Sequence, residues 1–126
     1  MKGGTRAILI VENDPMVMTF YHYILADVYR LFMAESMLRA QKIIETNQID
    51  CIILDLSLQG YEDNELLIRF FHLLNNNLNT PILGVTTKQY HPDDSEIMDA
   101  VCDEYILKPF NVDELFERIA KLTNPS

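Results

Sequence analysis

Residues 8–15 read ILIVENDP, and the prediction of the fold begins from them. Its four aliphatic residues predict a short strand buried on both faces, as in a parallel sheet that is covered by helices on either side. Asp14 and Pro15 then predict the start of a helix, with Asp14 as the N-cap and Pro15 as the first helical residue. The strand therefore runs directly into Glu12 and Asn13, and polar groups follow at its carboxyl end.

The same alternation continues along the chain. Apolar residues at helical spacing follow each apolar run, and the connections are short. The predicted inward-facing residues of the first helix are Val17, Phe20, Tyr21, Ile24, Leu25 and Val28, and those of the last helix are Val112, Leu115, Phe116, Ile119 and Ala120. This order predicts an α/β fold with five β-α units, a parallel sheet and helices on both faces. The predicted strands are Ala7–Val11, Tyr29–Ala34, Cys51–Leu58, Pro81–Thr87 and Glu104–Phe110, and the predicted helices begin near Pro15, Ser36, Asp63, Asp94 and Asn111.

Length, composition and charge limit the class of protein. The 126 residues suffice for a single domain, and a hydrophobic content of 48% is typical of globular chains. No apolar run reaches the roughly 18 residues of a membrane span, and no secretory leader is visible. The net charge of −9 without clustered basic residues argues against direct binding to nucleic acid. We expect a cytoplasmic protein with Cys51 and Cys102 as buried, reduced thiols; a disulfide or redox pair is the alternative.

Polar side chains stand at the ends of several predicted strands. The first strand leads into Glu12 and Asn13, the third reaches Asp55, the fourth Thr86 and the fifth Lys108. The carboxyl ends of parallel strands lie at one edge of a sheet, where ligands bind at the topological switch point. Any one of these residues alone could be an ordinary polar residue. Asp55, however, follows four apolar residues, and burying its carboxylate would be costly without a cation or Lys108 beside it.

These residues resemble the motifs of the response regulator receiver domain of two-component phosphorelays. That family has an acidic pair after strand one, a phosphate-accepting Asp that ends strand three, a Thr or Ser that ends strand four and a Lys-Pro pair after strand five. The resemblance covers about Ala7 to Leu122 and implies a flavodoxin-like, doubly wound, five-stranded parallel sheet of order 2-1-3-4-5. The matching stretches are VENDP (11–15), ILDLSLQG (53–60), GVTT (84–87) and ILKPF (106–110).

The resemblance implies the chemistry of the site. Asp55 would be the nucleophile that accepts a phosphoryl group from a histidine kinase or a phosphotransfer protein. Mg²⁺ would be held by Glu12, Asn13, Asp55 and the backbone carbonyl of Ser57, some of them through water. Oxygen ligands with several retained waters are what Mg²⁺ prefers. We therefore expect a signalling domain rather than an enzyme, with at most self-catalysed phosphotransfer and dephosphorylation.

The resemblance also implies a conformational switch. Thr86 would hydrogen-bond the phosphoryl oxygens, Lys108 would neutralise their charge, and Tyr105 matches the aromatic switch position of the family. The face built from the fourth helix, fifth strand and fifth helix, about residues 94–122, would contact an output domain or a partner protein, and it is the surface expected for a homodimer. The chain carries no further output domain, so we expect it to act through a partner or as part of a longer protein.

Asn13 departs from the family pattern, which usually has a second acid at this position. Losing a full charge beside a dication costs about 1–3 kcal/mol, which corresponds to roughly 10–100-fold weaker metal binding. Asn13 therefore supports one alternative: a pseudo-receiver, which is a phosphorylation-independent interaction module of the same fold. A metal-dependent phosphatase is disfavoured, because Ser57 stands where its general acid would be needed.

Overall fold

The computed structural model describes residues 5–55, 79–87 and 102–124. They form one five-stranded parallel sheet of order β2-β1-β3-β4-β5, which confirms the doubly wound topology. The predicted helices that begin near Asp63 and Asp94, and the end of the third predicted strand, lie outside the described residues. The elements are β1 (Ala7–Val11), α1 (Pro15–Leu25), β2 (Arg30–Ala34), α2 (Met37–Thr46), β3 (Cys51–Asp55), β4 (Ile82–Thr87), β5 (Glu104–Lys108) and α3 (Val112–Thr123).

Helices cover both faces of the central strands. Ile8 and Ile10 of β1 pack with α1 and α3, whereas Leu9 and Val11 pack with α2. Successive side chains of a strand point to opposite faces, so an uninterrupted apolar run is what a strand covered on both sides requires. All five residues of β1 and all five of β3 are buried.

The structure corrects several predicted bounds. Strand β2 begins at Arg30 rather than at Tyr29, and it lies at the edge of the sheet, which suits its less uniformly apolar sequence. Helix α1 ends at Leu25, so Val28, which the sequence places on the apolar stripe of that helix, lies beyond it and is exposed. Strand β5 ends at Lys108 rather than at Phe110, because Pro109 has no N–H to donate to a ladder.

The caps of two helices fix the loops that follow β1 and β5. The Asp14 side chain accepts a hydrogen bond from the backbone N–H of Met16 at 2.9 Å. The Asn111 side chain accepts one from the N–H of Glu114 at 2.7 Å. These bonds satisfy backbone donors that the first turn of a helix leaves without an intrahelical partner. Both loops begin at residues on the carboxyl edge of the sheet, so the caps hold that edge in place.

Two stacked aromatic pairs join α1 and the segment after it to the C-terminal part of the chain. Tyr21 stacks on Phe110, with ring centroids 6.4 Å apart and an interplanar angle of 21°. Tyr29 stacks on Phe116 at 6.1 Å and 23°. Stacked aromatic pairs stabilise a contact beyond the area that they bury. The Tyr21 pair lies close to Lys108 and therefore sets the position of the loop after β5 against α1.

Both cysteines are buried thiols, as the sequence predicts. Burial is the main reason why the pKa of Cys51 is raised to about 12, and the nearby Asp103 and Asp50 add to the effect. Its sulfur is therefore a protonated core group. Among the helices that the structure describes, none has the length and apolar character needed to cross a bilayer.

Candidate functional site

Strand register brings Asp55 and Lys108 to the same place. Asp55 pairs with Val85 of β4, and Val85 pairs with Ile106 of β5. Lys108 is two residues beyond Ile106 and therefore lies on the same face of the sheet. The Lys108 Nζ lies 2.6 Å from Asp55 Oδ2, and the exposed fractions of the two side chains are 26% and 0%. The buried carboxylate is thus compensated by a cation from two strands away.

Glu12 is the first residue after β1 and is also buried, with 3% of its surface exposed. Its Oε1 accepts hydrogen bonds from the backbone N–H of Asn13 at 2.9 Å and of Asp14 at 3.0 Å. Its Oε2 is buried and accepts none from the described residues. One oxygen is thus fixed by the loop, and the other is left for a further ligand.

The two carboxyl groups of the site influence each other. The pKa of Glu12 is raised from 4.5 to about 7, mainly by burial and in addition by the side-chain hydrogen bond and the charge of the neighbouring Asp55 carboxyl. The backbone donors from Asp14 and Asn13 act in the opposite direction but do not prevail. Burial and the Asp55 carboxyl therefore both favour the protonated form of Glu12.

The other residues that the sequence analysis assigns to the site differ in their burial and in their position in the fold. Asn13 is exposed at the start of the loop after β1. Thr86 is buried near the carboxyl end of β4, where it pairs with Leu107 of β5. Tyr105 lies in β5 and is 40% exposed. Ser57 lies outside the described residues. The structure thus brings Glu12, Asp55 and Lys108 together, with Thr86 on the same edge of the sheet.

The donor atoms fit a hard divalent cation. The buried Glu12 Oε2 has no hydrogen-bond partner among the described residues, and the Asp55 carboxylate is fully buried nearby. Oxygen ligands are what Mg²⁺ prefers, and it keeps several waters, so few protein groups suffice. Within residues 5–55, 79–87 and 102–124, no group of three or more His, Cys, Asp or Glu side chains is placed to hold a metal.

Sequence reasoning missed Tyr21, which it assigned only to the apolar stripe of α1. Tyr21 is fully buried, and its hydroxyl lies close enough to Asp55 and Glu12 that both carboxylates raise its pKa, in addition to the larger effect of burial. The available signal was the hydroxyl group of a residue that lies on the predicted apolar stripe of the helix. An apolar groove of about 550 Å³ adjoins the site and is lined by Met16, Val17, Phe20, Tyr21, Lys108, Pro109 and Phe110.

Curated relatives of known family match nearly all of the chain. Over 122 residues it is 29% identical to the transcriptional regulatory protein TcrA of Mycobacterium tuberculosis, a match that covers 96% of this chain and 47% of the relative. Over 113 residues it is 31% identical to the KDP operon transcriptional regulatory protein KdpE of Escherichia coli, covering 89% and 48%. The chain therefore spans about half the length of the curated relatives it matches.

Solved structures show the same fold. The receiver domain of the sensor histidine kinase PA1611 from Pseudomonas aeruginosa superposes with a TM-score of 0.79 at 24% identity, covering 95% of this chain and 98% of that one. The family model of the response regulator receiver domain matches residues 8–120. On that match, the chain belongs to the response regulator receiver domain family of two-component signal transduction.

Proposed function

We propose that Asp55 is the phosphoacceptor of this receiver domain and that the donor is a phosphohistidine of a histidine kinase or phosphotransfer protein. The observation that carries the proposal is the fully buried Asp55 carboxylate, paired with Lys108 at the carboxyl end of β3 and adjacent to Glu12. An Asp55 oxygen attacks the phosphorus, the bond from phosphorus to the donor nitrogen breaks, and an acyl phosphate forms. Asp55 is a competent nucleophile, and the transfer mainly requires charge neutralisation.

Lys108 supplies part of that neutralisation. Its ammonium already contacts the nucleophile, so it stands next to the negative charge that the phosphoryl oxygens bring. In a site shielded from water such a contact is stronger than in bulk solvent. Thr86, buried at the end of β4, is the group that we assign to hydrogen bonding with a phosphoryl oxygen.

Glu12, Asn13, Asp55 and the backbone carbonyl of Ser57 would hold Mg²⁺. The PA1611 receiver domain has a magnesium ion coordinated in its active-site cleft. We propose that this chain also binds the ion, because the buried Glu12 Oε2 is an oxygen that has no hydrogen-bond partner among the described residues. The cation would neutralise charge on the phosphoryl group during transfer.

The surface of β5 and α3 is the proposed contact for a partner. Tyr105 and Leu107 are 40% and 49% exposed on the side of β5 that is opposite to Ile106. Beside them Glu104 pairs with Arg118 of α3 at 3.0 Å, and with Lys121. An exposed apolar centre with a charged rim is typical of protein interfaces. We propose that Tyr105 responds to phosphate at Asp55 and that this face binds an output domain, a partner protein or a second copy.

The domain and its compartment complete the proposal. Residues 1–126 would form a single receiver domain with its core at about 7–122. The curated relatives are about twice as long, so the output would come from a partner protein or from another part of a longer chain. A cytoplasmic phosphorelay is the context in which the buried thiols of Cys51 and Cys102 stay reduced.

The test is phosphorylation by a small donor. Incubation with acetyl phosphate or phosphoramidate and Mg²⁺ should add one phosphoryl group, read as intact mass. Asp55→Asn should stay unmodified, whereas Asp50→Asn, which changes an acid at the opposite end of β3, should behave as the wild type. Wild-type protein that remains unmodified at high donor and Mg²⁺ would favour the pseudo-receiver alternative, which Asn13 supports.

Asn13→Asp should tighten Mg²⁺ binding about tenfold, because it restores a charge beside the cation. The same change adds like-charge repulsion to Glu12 and Asp55 and should lower the unfolding temperature of the metal-free protein. Added Mg²⁺ should therefore raise the unfolding temperature of this variant more than that of the wild type. Thermal unfolding across a Mg²⁺ titration measures both effects.

Asn124→Asp is the matched control for that variant, since Asn124 lies after α3 and pairs with Arg6, away from the site. It should leave the Mg²⁺ dependence unchanged. Equal metal dependence in Asn13→Asp and the wild type would mean that Asn13 does not face the cation.

A further inference from the structure

The hydroxyl of Tyr21 is a buried polar group that lacks a partner. The residue is fully buried, and its Oη forms no hydrogen bond with the described residues. Leaving a buried donor unsatisfied is costly, and most such groups are paired with protein or with ordered water. A phenylalanine would fill the same volume without this penalty. The hydroxyl therefore calls for an explanation other than packing.

The surroundings of Tyr21 direct that hydroxyl to the acidic site. Its ring stacks on Phe110 and lines the groove that Lys108 also lines, while Lys108 Nζ contacts Asp55. Asp55 and Glu12 are the two charged groups that act on the hydroxyl. A phenol near two carboxylates can donate a hydrogen bond, whereas ionised carboxylates can only accept one.

Glu12 offers the matching unsatisfied atom. Its Oε2 is buried and has no partner among the described residues, while Oε1 is occupied by two backbone donors. Neither atom bonds the other directly. A water molecule between them would satisfy both, because it can accept from the hydroxyl and donate to the carboxylate.

We propose that Tyr21 is a positioning residue of the site: its hydroxyl shares a water molecule with Glu12 Oε2 and, in the cation-bound protein, holds a water ligand of the cation beside that carboxylate. The second half rests on the proposed function, whereas the shared water does not. In the cation-bound protein the hydroxyl would accept a hydrogen bond from the metal-bound water instead of donating one, and this contact fixes the orientation of that water.

The metal arm of the test compares two Tyr→Phe variants. Tyr21→Phe keeps the ring stack and should weaken Mg²⁺ binding on the order of tenfold. Tyr29→Phe is the matched control, because Tyr29 stacks on Phe116 in nearly the same geometry but does not adjoin the acidic site. It should change the affinity less than about twofold. Mg²⁺ titration followed by NMR of the full chain gives both affinities.

The metal-free arm uses a double-mutant cycle in EDTA. If Tyr21 and Glu12 share a water, Tyr21→Phe should shift the urea midpoint less in the Glu12→Gln background than in the wild type. The cycle of Tyr29→Phe with Glu12→Gln should be additive. Tyr→Phe retains the buried ring, so all of the variants should fold and yield a midpoint.

The two experiments distinguish a failure of this inference from a failure of the proposed function. Wild-type binding of Mg²⁺ with unchanged affinity in Tyr21→Phe would overturn the inference and leave the proposed function standing. No Mg²⁺ binding by the wild type would refute the cation in the proposed function, and the cycle would then decide on the shared water. Additive midpoint shifts for Tyr21→Phe and Glu12→Gln would overturn the inference in either case.

Discussion

Replacing Lys108 with alanine should slow phosphorylation by acetyl phosphate by roughly 10²–10³-fold, the usual cost of removing one preorganised charge-stabilising group. The ammonium lies 2.6 Å from the Asp55 carboxylate and is the cation that the described residues supply at this point. Without it, the negative charge of the incoming phosphoryl group would meet a buried carboxylate that has lost the ammonium beside it. The rate of phosphoryl incorporation by intact mass, at fixed donor and Mg²⁺, measures the effect.

Lys121→Ala serves as the control for that substitution. Lys121 is a lysine of α3 that pairs with Glu104, away from the acidic site. This substitution should leave the phosphorylation rate within about twofold of the wild-type rate, since exposed ion pairs contribute little. A Lys108→Ala protein that is phosphorylated as fast as Lys121→Ala would remove Lys108 from the mechanism.

In the absence of divalent cations, the free energy of unfolding should fall as the pH rises from about 5 to about 7. Burial and the neighbouring Asp55 raise the pKa of Glu12 from 4.5 to about 7. Between these values the folded protein binds the proton more tightly than the unfolded chain. The stabilisation is complete below pH 4.5 and is lost as the pH passes through about 7. Its size should be on the order of 2 kcal/mol. Urea unfolding at several pH values measures it.

Glu12→Gln should remove most of that pH dependence, whereas Glu114→Gln on the surface of α3 should not. Saturating Mg²⁺ should oppose it, because the cation binds the ionised carboxylate and competes with the proton. The interpretation of Glu12 would be wrong if the wild type and Glu12→Gln lost stability equally over this pH range.

Much of the fold could be predicted from the sequence because the signals are local. The uninterrupted apolar run of β1 requires burial on both faces, and the structure has it so. Asp14 and Asn111 cap the helices that the sequence assigns to them. The strand order also follows the family pattern. Local residue types and the general rules of parallel sheets together specify these features.

Helix faces were harder to predict. Val112 and Ala120 were placed on the inward stripe of α3, but both are exposed, while Leu115 and Ile119 are buried. The buried arc of a helix depends on how closely its neighbours approach, and hydrophobicity alone does not give that distance. Thr123 is buried as well, with its hydroxyl bonded to the Ile119 carbonyl at 2.9 Å.

The site likewise contains residues that the sequence predicts and one that it does not. The meeting of Asp55 with Lys108 follows from the strand ends, because parallel strands share one edge. Tyr21 could not be assigned in the same way, since a periodic apolar pattern treats tyrosine as a hydrophobic residue and does not show where its hydroxyl points. The structure supplies that information through the ring stack on Phe110 and through the proximity to Glu12.

If Asp55 is the phosphoacceptor, the phosphoryl group can be located on that residue after a reaction with a small donor. The protein is treated with phosphoramidate and Mg²⁺, and borohydride then reduces the acyl phosphate, which converts the modified aspartate into homoserine. Peptide mass spectrometry identifies the position. We predict homoserine at position 55 in the wild type and none in Asp55→Asn. Homoserine at another aspartate, or an unreduced phosphate ester on Thr86, would contradict the assignment of Asp55 as the phosphoacceptor.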